Sequence, residues 1–565
     1  MRTSFVPAAL LCLLFVRGLG LSAQNKPLVV EEGKYSIHLL LHTIGTESYT
    51  VTETAPGRLV MMTTSTSSDR GMKRTTNTKL EMGPSFAPVV LEQRSSGSSG
   101  SSRGSTEDES LTEVKDGGAV SVRELGVGRT MQRPSVAFVG FGSMPASLQM
   151  MMMRYWRLHH QPVRLPILRA SEKALPVQIK LVGHDSFSVG GRMIRLTRYT
   201  VANLMFGREI VWMNDSGRLA ALMTFAGGLP QEEILEGYEP VEAGLEHSGV
   251  QQEMLDLDDL DREVPPKARG AFAIVGARLI DGTGSPAVEN SVVMVRDGRI
   301  VAAGNGGTVK VPAGMRVVHA EGQSLLPGLW EMHSHYSGVE FGPALLAAGV
   351  TTARDCGGEF EFLTTVRRKI DKDHALGPRL LLAGLIDSGG PLAFGYVDVK
   401  TPAEAVEAVD NYADAKFEQI KVYTQLQPEV LKAISAEAHR RNMTVTGHVP
   451  AAINAFDGIA DGMDQINHLQ FVTRAMTPDG SAGPVDLQSE RATKLIALLK
   501  QNHIVVDPTL GWGEMAGHPK NVDVASFEPG INAAPFTLSS KFRALGVPAT
   551  DEAKFHERME TNRKV

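Results

Sequence analysis

Apolar and polar residues alternate with a period of two along much of residues 35–238, as in Tyr49-Thr50-Val51-Thr52 and in Ile194-Arg195-Leu196-Thr197-Arg198-Tyr199-Thr200-Val201. That period puts apolar side chains on one face of a strand, and Gly or Asn-Asp turns separate many of the runs. Together they predict a β-rich N-terminal domain over 24–250, an antiparallel sheet or sandwich. Within it, Ser95 to Ser110 (SSGSSGSSRGSTEDES) is too poor in apolar residues to bury surface and is expected to be a disordered loop. The run Met150 to Met153, ahead of Arg154-Tyr155-Trp156, reads as core or a packed edge rather than as an adaptable binding surface. An acidic stretch over 251–270, ending in Pro265-Pro266, reads as a linker between domains.

The rhythm then changes twice. Residues 271–324 carry short apolar runs punctuated by Asp281-Gly282-Thr283-Gly284 and Asp297-Gly298, the pattern of hairpins in a small β-subdomain. From Leu325 onward short apolar strands alternate with helical segments, the mark of stacked βαβ units. Thr401-Pro402-Ala403-Glu404 supplies a cap, a first-turn proline and a capping-box acid for one helix. Strands are expected to end at His335, Asp355, Gly384, Tyr423, His448, His468 and Asp507. Seven such ends are one short of a closed (β/α)8 barrel. The fold class expected is therefore α/β: a TIM-type (β/α)8 barrel over 325–565 lacking its last unit, with the small β-subdomain and the separate β-rich N-terminal domain.

Composition narrows the function. The 565 residues carry 57 basic and 63 acidic side chains, a formal charge of −6, and a general nucleic-acid binder would need a basic excess. Arg2, the apolar run from Phe5 to Val16 and the small residues Gly18 to Ala23 have the layout of a secretory signal peptide cleaved before Gln24, since the run is short for a membrane anchor. Cleavage deletes Arg2 and Arg17 and no acid, taking the charge to −8. A secreted protein, periplasmic or extracellular, is expected, with no membrane association after cleavage. Of two cysteines, Cys12 leaves with the signal, so Cys356 has no intramolecular disulfide partner.

The candidate chemistry sits at the strand ends. In Leu325-Leu326-Pro327-Gly328-Leu329-Trp330-Glu331-Met332-His333-Ser334-His335 two histidines at i and i+2 share a strand face and can address one cation. Lys421 lies inside the apolar run Phe417 to Tyr423, where burial disfavours its cation and lowers its pKa. Gly447-His448 and Asn467-His468 each end a further apolar strand. In a parallel barrel these ends converge on one rim, where catalytic residues collect. His159-His160 is adjacent, so on a strand the rings would face opposite sides, and no site is assigned to the pair.

In this order the motifs resemble the amidohydrolase superfamily, and within it the imidazolonepropionase-like and prolidase-like metal-dependent hydrolases. The residues that carry the likeness are the β-subdomain, the 327–335 stretch, Ala-Gly-Val-Thr-Thr-Ala-Arg-Asp (348–355), Ile-Lys-Val-Tyr (420–423), Gly-His-Val (447–449) and Asn-His (467–468). The resemblance covers roughly 272–565 and none of the N-terminal domain. It implies two divalent metal ions, zinc by default, one on His333 and His335, the other on His448 and His468, bridged by a carboxylated Lys421. The implied reaction is hydrolysis of an amide-like C–N bond of a dipeptide or cyclic amide by a metal-bridging hydroxide. Tyr423 is expected either to donate to a substrate carbonyl or carboxylate or to pack at the rim. Asp355 and Arg354 are expected to make structural polar contacts, and Cys356 to act as a small hydrophobe. The family's strand-eight Gly-Thr-Asp aspartate has no match here, so the chain reads as a C-terminally truncated member. The alternatives are an inactive extracytoplasmic ligand-binding protein and a mononuclear deaminase of the same superfamily, against which Lys421 argues. Oligomeric state is not legible.

Overall fold

The computed structural model describes residues 28–565 apart from 100–105, 125–126, 143, 227–228, 396 and 482–484. The expected signal peptide lies outside the described residues. The alternating pattern of the N-terminal region folds into a single antiparallel sheet of 13 strands. Its strand Leu28–Leu39 pairs with Leu229–Leu235, Tyr35 opposite Leu235, which joins the early strands to the late ones. One face of the sheet carries Tyr35, Tyr49, Met61, Leu80, Leu91 and Val120, all buried in one core with the helix Ala146–Leu158. Met150 to Met153 lie inside that helix and are fully buried, because unbranched thioethers fill the irregular space between helix and sheet. His159 and His160 fall just past the helix end rather than on a strand.

Two expectations fail here for physical reasons. The stretch Ser95–Ser110, expected as a disordered loop, falls mostly within a pair of strands, Pro88–Ser99 and Thr106–Val114, with Ser95 opposite Asp108 and Gly97 opposite Thr106. Only 100–105 fall outside the described residues. Composition measures what side chains can bury. This hairpin is held instead by backbone pairing on both sides, the other partner being Met72–Met82, and a ladder needs no apolar side chain. The expected linker over 251–270 is mostly the end of a long helix, Glu242–Glu263. Val250, just before the acidic run, and Met254 and Leu257 within it recur at helical spacing and bury against the second half of the chain, the spacing of an apolar stripe along one helix face.

One buried acid of the N-terminal sheet makes stability depend on pH. Glu209 accepts hydrogen bonds from Gln149 Nε2 at 2.9 Å and Thr224 Oγ1 at 2.6 Å, while its Oε2 is buried without a partner. Burial pushes its pKa up to about 7 despite those bonds. The folded state thus keeps a proton that the unfolded chain releases near pH 4.5, so the contribution is full below that pH and is lost as pH rises through 7. Glu209→Gln is expected to match the wild type at pH 4.5 and to exceed it at pH 8 by about 3 kcal/mol. Urea unfolding at the two pH values checks this; equal stabilities at pH 8 would refute it.

Beyond the long helix, a four-stranded sheet in the order Arg299–Asn305, Ser291–Arg296, Phe272–Val275, Arg316–His319 and a two-stranded sheet of Arg278–Leu279 with Ser324–Leu325 form the small β-region. A parallel sheet of seven strands follows in chain order: Leu329–Ser334, Val350–Asp355, Arg379–Ile386, Gln419–Val422, Thr444–Gly447, Gln465–Asn467 and Val505–Asp507. These are the seven strands expected from the sequence. Helices cover them, burying Val366, Leu382, Ile420, Leu431, Val445 and Ile466 completely. The helix Pro402–Asp414 begins with the expected capping box: Glu404 N donates to Thr401 Oγ1, and the Glu404 carboxylate accepts from Thr401 N at 3.0 Å. The first and seventh strands are the sheet's two edges, yet side chains join them, for His333 Nδ1 and Asp507 Oδ2 are 2.7 Å apart. The result is a nearly closed, barrel-like sheet compatible with a TIM-type architecture. Among the described residues no helix is long and apolar enough to cross a membrane.

Candidate functional site

The carboxyl ends of the parallel strands bring the predicted residues together. His333 lies on the first strand and His335 just beyond it, with ring centroids 5.9 Å apart. His333 is 4.8 Å from His468, and His468 is 4.8 Å from His448. Four rings separated by up to 135 positions in sequence therefore form one continuous group. Lys421, on the fourth strand, is 1% exposed, and its charge acts on all four imidazoles.

Each ring is anchored through Nδ1. His333 Nδ1 donates to the Asp507 carboxylate, and His335 Nδ1 donates to the Gly357 carbonyl at 2.7 Å. His448 Nδ1 meets Thr424 Oγ1 at 3.1 Å, and His468 Nδ1 meets Thr509 Oγ1 at 2.7 Å. Such partners fix the ring orientation and direct Nε2 to the site. Burial, reinforced by the Lys421 charge, lowers all four pKa values, His335 and His468 to about 3. The imidazoles are thus neutral at pH 7, with lone pairs available.

Burial also lowers the Lys421 ammonium, to about 8, so an appreciable fraction is free amine near neutrality. No hydrogen bond or ion pair engages it among the described residues. Neutral imidazoles around an uncompensated amine are the donor chemistry of an imidazole and carbamate metal site. In donor type the residues fit such a group. Among the described residues no three His, Cys, Asp or Glu side chains by themselves form a metal-holding set, and lysine is not one of those types.

The backbone is irregular where the ligand candidates sit. His468 has φ +70° and Thr509 φ +47°, unusual for residues other than glycine, and the two are hydrogen-bonded to each other. Gly447 has φ +145° immediately before His448. Left-handed backbone of this kind collects at functional sites.

Tyr423 follows the fourth strand rather than lying within it. Its ring stacks on His448 with centroids 3.9 Å apart and an interplanar angle of 29°. Asp355 accepts from the backbone N–H groups of Tyr336 and Gly357 at 2.7 and 2.8 Å, a structural role, as expected. Arg354 does more than local tethering. From the second strand its guanidinium donates to Met332 O on the first, Gln419 on the fourth, Gln465 on the sixth and Asp507 on the seventh. That clasp inside the sheet could be anticipated only as a buried arginine. Cys356 is buried, its Sγ 3.7 Å from the Met332 carbonyl, and burial pushes its thiol up, which suits a small hydrophobe. Three contributors were not legible in sequence: Thr424 and Thr509, which anchor two rings, and Arg70, which enters the mouth from the N-terminal sheet.

No family model matches the chain. A curated N-acyl-D-aspartate deacylase from Alcaligenes xylosoxydans xylosoxydans is 39% identical over 110 residues, which are 18% of this chain and 21% of that protein. The chain thus matches about a fifth of the length of that relative. Among solved structures, a Xaa-Pro dipeptidase with bound methionine in its active site is similar at 20% identity and a TM-score of 0.36, over 51% of this chain and 77% of the other. A bottromycin amidohydrolase is similar at 19% identity and a TM-score of 0.34, over 53% and 74%. The chain is similar to a deacylase, a dipeptidase and an amidohydrolase, and its ordered motifs resemble the amidohydrolase superfamily.

Proposed function

We propose that the chain is a secreted, metal-dependent hydrolase of amide-like C–N bonds, acting on a dipeptide or cyclic amide. The observation that carries this reading is the group of four neutral, Nδ1-anchored imidazoles around a buried amine of lowered pKa. His333 and His335 would hold one divalent ion, His448 and His468 a second, with Lys421 as carbamate between them. The amine adds to carbon dioxide and loses a proton, which replaces a poorly placed buried cation by an oxygen-donor anion. When bound, the ions, zinc first, would activate water near neutral pH and polarise the scissile carbonyl.

The chain's own groups set the stage for that chemistry. Asp507, the Gly357 carbonyl, Thr424 and Thr509 orient the rings, and Asp507 is in turn fixed by Arg354 at 3.1 Å. Burial keeps the imidazoles neutral and excludes bulk water. Tyr423, stacked on His448, offers a hydroxyl to a substrate carbonyl or carboxylate.

The test is metal analysis of the purified protein together with a dipeptide panel, before and after chelation. The expected result is about two equivalents of divalent metal and a hydrolysis that chelation abolishes and zinc restores. Metal-loaded protein that binds dipeptides and hydrolyses none would overturn the enzyme reading in favour of a ligand-binding protein.

A further inference from the structure

The mouth of the barrel is not built by the barrel alone. The strands Arg58–Asp69 and Met72–Met82 of the N-terminal sheet are joined by a two-residue turn, Arg70-Gly71, with φ of +48° and +79°. Positive φ at both positions is the hairpin turn that favours Asn and Gly, so an arginine is held there against its preference. The turn lies against the loop that follows the third barrel strand: a Cβ on Gly71 would come within 2.7 Å of Leu392 Cδ2. Nearby, Leu39, Leu40 and Leu229 of the sheet pack with Leu385, Phe394 and Tyr423 of the barrel.

This packing carries the Arg70 guanidinium into the site. Its Cζ lies 4.8 Å from the centre of the Phe394 ring, which is 5.1 Å from Tyr423 and 5.9 Å from His335. Its charge reaches His335 and His448 and also Tyr423, where it partly offsets the rise that burial imposes on the phenol. Asp69 grips one edge of the guanidinium, accepting from Nε at 2.7 Å and from Nη2 at 2.6 Å. A guanidinium has five N–H donors, so a bidentate grip on one edge orients the group and leaves donors on its other edge for a ligand. The side chain is 31% exposed, so the guanidinium is not sealed in the core. The nearby Asp387 is no competitor, since its carboxylate already accepts from the backbone of Ser388, Phe394 and Gln425.

We propose that Arg70 is a substrate-recognition residue: delivered by the N-terminal sheet into the barrel mouth, it takes the free carboxylate of an anionic amide substrate, with Tyr423 as second donor. This rests on the hydrolase reading and deepens it, for it selects dipeptides with a free terminal carboxylate over neutral cyclic amides. It also gives the N-terminal domain a role in specificity.

The experiment compares dipeptides with their C-terminal carboxamides in the full-length protein and in Arg70→Met, by kcat/KM and, without turnover, by calorimetric affinity. The wild type is expected to prefer the carboxylate. The ratio of carboxylate to carboxamide should fall roughly 10- to 100-fold in Arg70→Met, chiefly through KM, and recover partially in Arg70→Lys. An arginine that merely joined the two domains would weaken both ligands equally, and an unchanged ratio overturns the proposal. A protein that prefers the carboxylate in binding but hydrolyses neither ligand would keep the anion subsite and overturn the hydrolase reading. One that hydrolyses both equally would do the reverse.

Discussion

Lys421→Ala is expected to lose metal and activity together, with kcat/KM falling at least about 100-fold. Outer partners of metal ligands already contribute 10- to 100-fold in metal affinity or activity, and a group proposed to bridge two ions contributes more. The physical basis is the position of the amine on the fourth strand, 1% exposed, with its charge felt by all four imidazoles. Its removal leaves a cavity the length of a lysine side chain, open at the site end. Short carboxylic acids should occupy that cavity and supply the missing oxygen donors, restoring some of both metal content and turnover. Metal analysis of the variant with and without added acetate or propionate checks this. Unchanged metal occupancy in Lys421→Ala would remove the bridging role.

Gly447→Ala should be the most disruptive single-methyl change in the barrel. A Cβ at this residue would stand 2.1 Å from the Val422 carbonyl oxygen and 2.8 Å from its nitrogen, and φ is +145°, which side chains rarely adopt. The obstruction is backbone, so no rotamer change relieves it. The same Val422 carbonyl accepts from His448 N at 3.0 Å, so the strand pairing that would be forced apart is the one that sets Lys421 beside His448. Overpacking and left-handed strain add, and the expected loss is about 3–5 kcal/mol, read as a lowered urea midpoint together with weakened metal binding. A variant as stable as the wild type would mean that the fourth and fifth strands do not approach as described.

Much of the architecture was legible because periodicity is a local property. A period of two in Tyr49 to Thr52 and Ile194 to Val201 announced the antiparallel sheet, and the seven apolar runs ending at His335 through Asp507 are the seven parallel strands. Local chemistry was legible too, as in the capping box at Thr401 and the lysine misplaced within an apolar strand. Composition misled where backbone pairing replaces side-chain burial. The Ser/Gly-rich run of 95–110 holds ladder hydrogen bonds on two sides, and the acidic run after Gln251 hides a helical apolar stripe. The ring anchors Thr424 and Thr509 left no signal, because a threonine after a strand is ordinary until its neighbour in space is known.

The sequence by itself determined most of the element types, the seven parallel strands in their order and the residues with unusual chemistry at their ends, since each of these depends on side chains a few positions apart. Only the tertiary structure decided which of those residues meet. It joined His333 to His468 and Asp507, spread one Arg354 guanidinium over the sheet interior, and brought Arg70 from the N-terminal sheet to Tyr423 in the barrel. Contacts between segments hundreds of residues apart follow from how whole elements pack, and no short window of the chain encodes that.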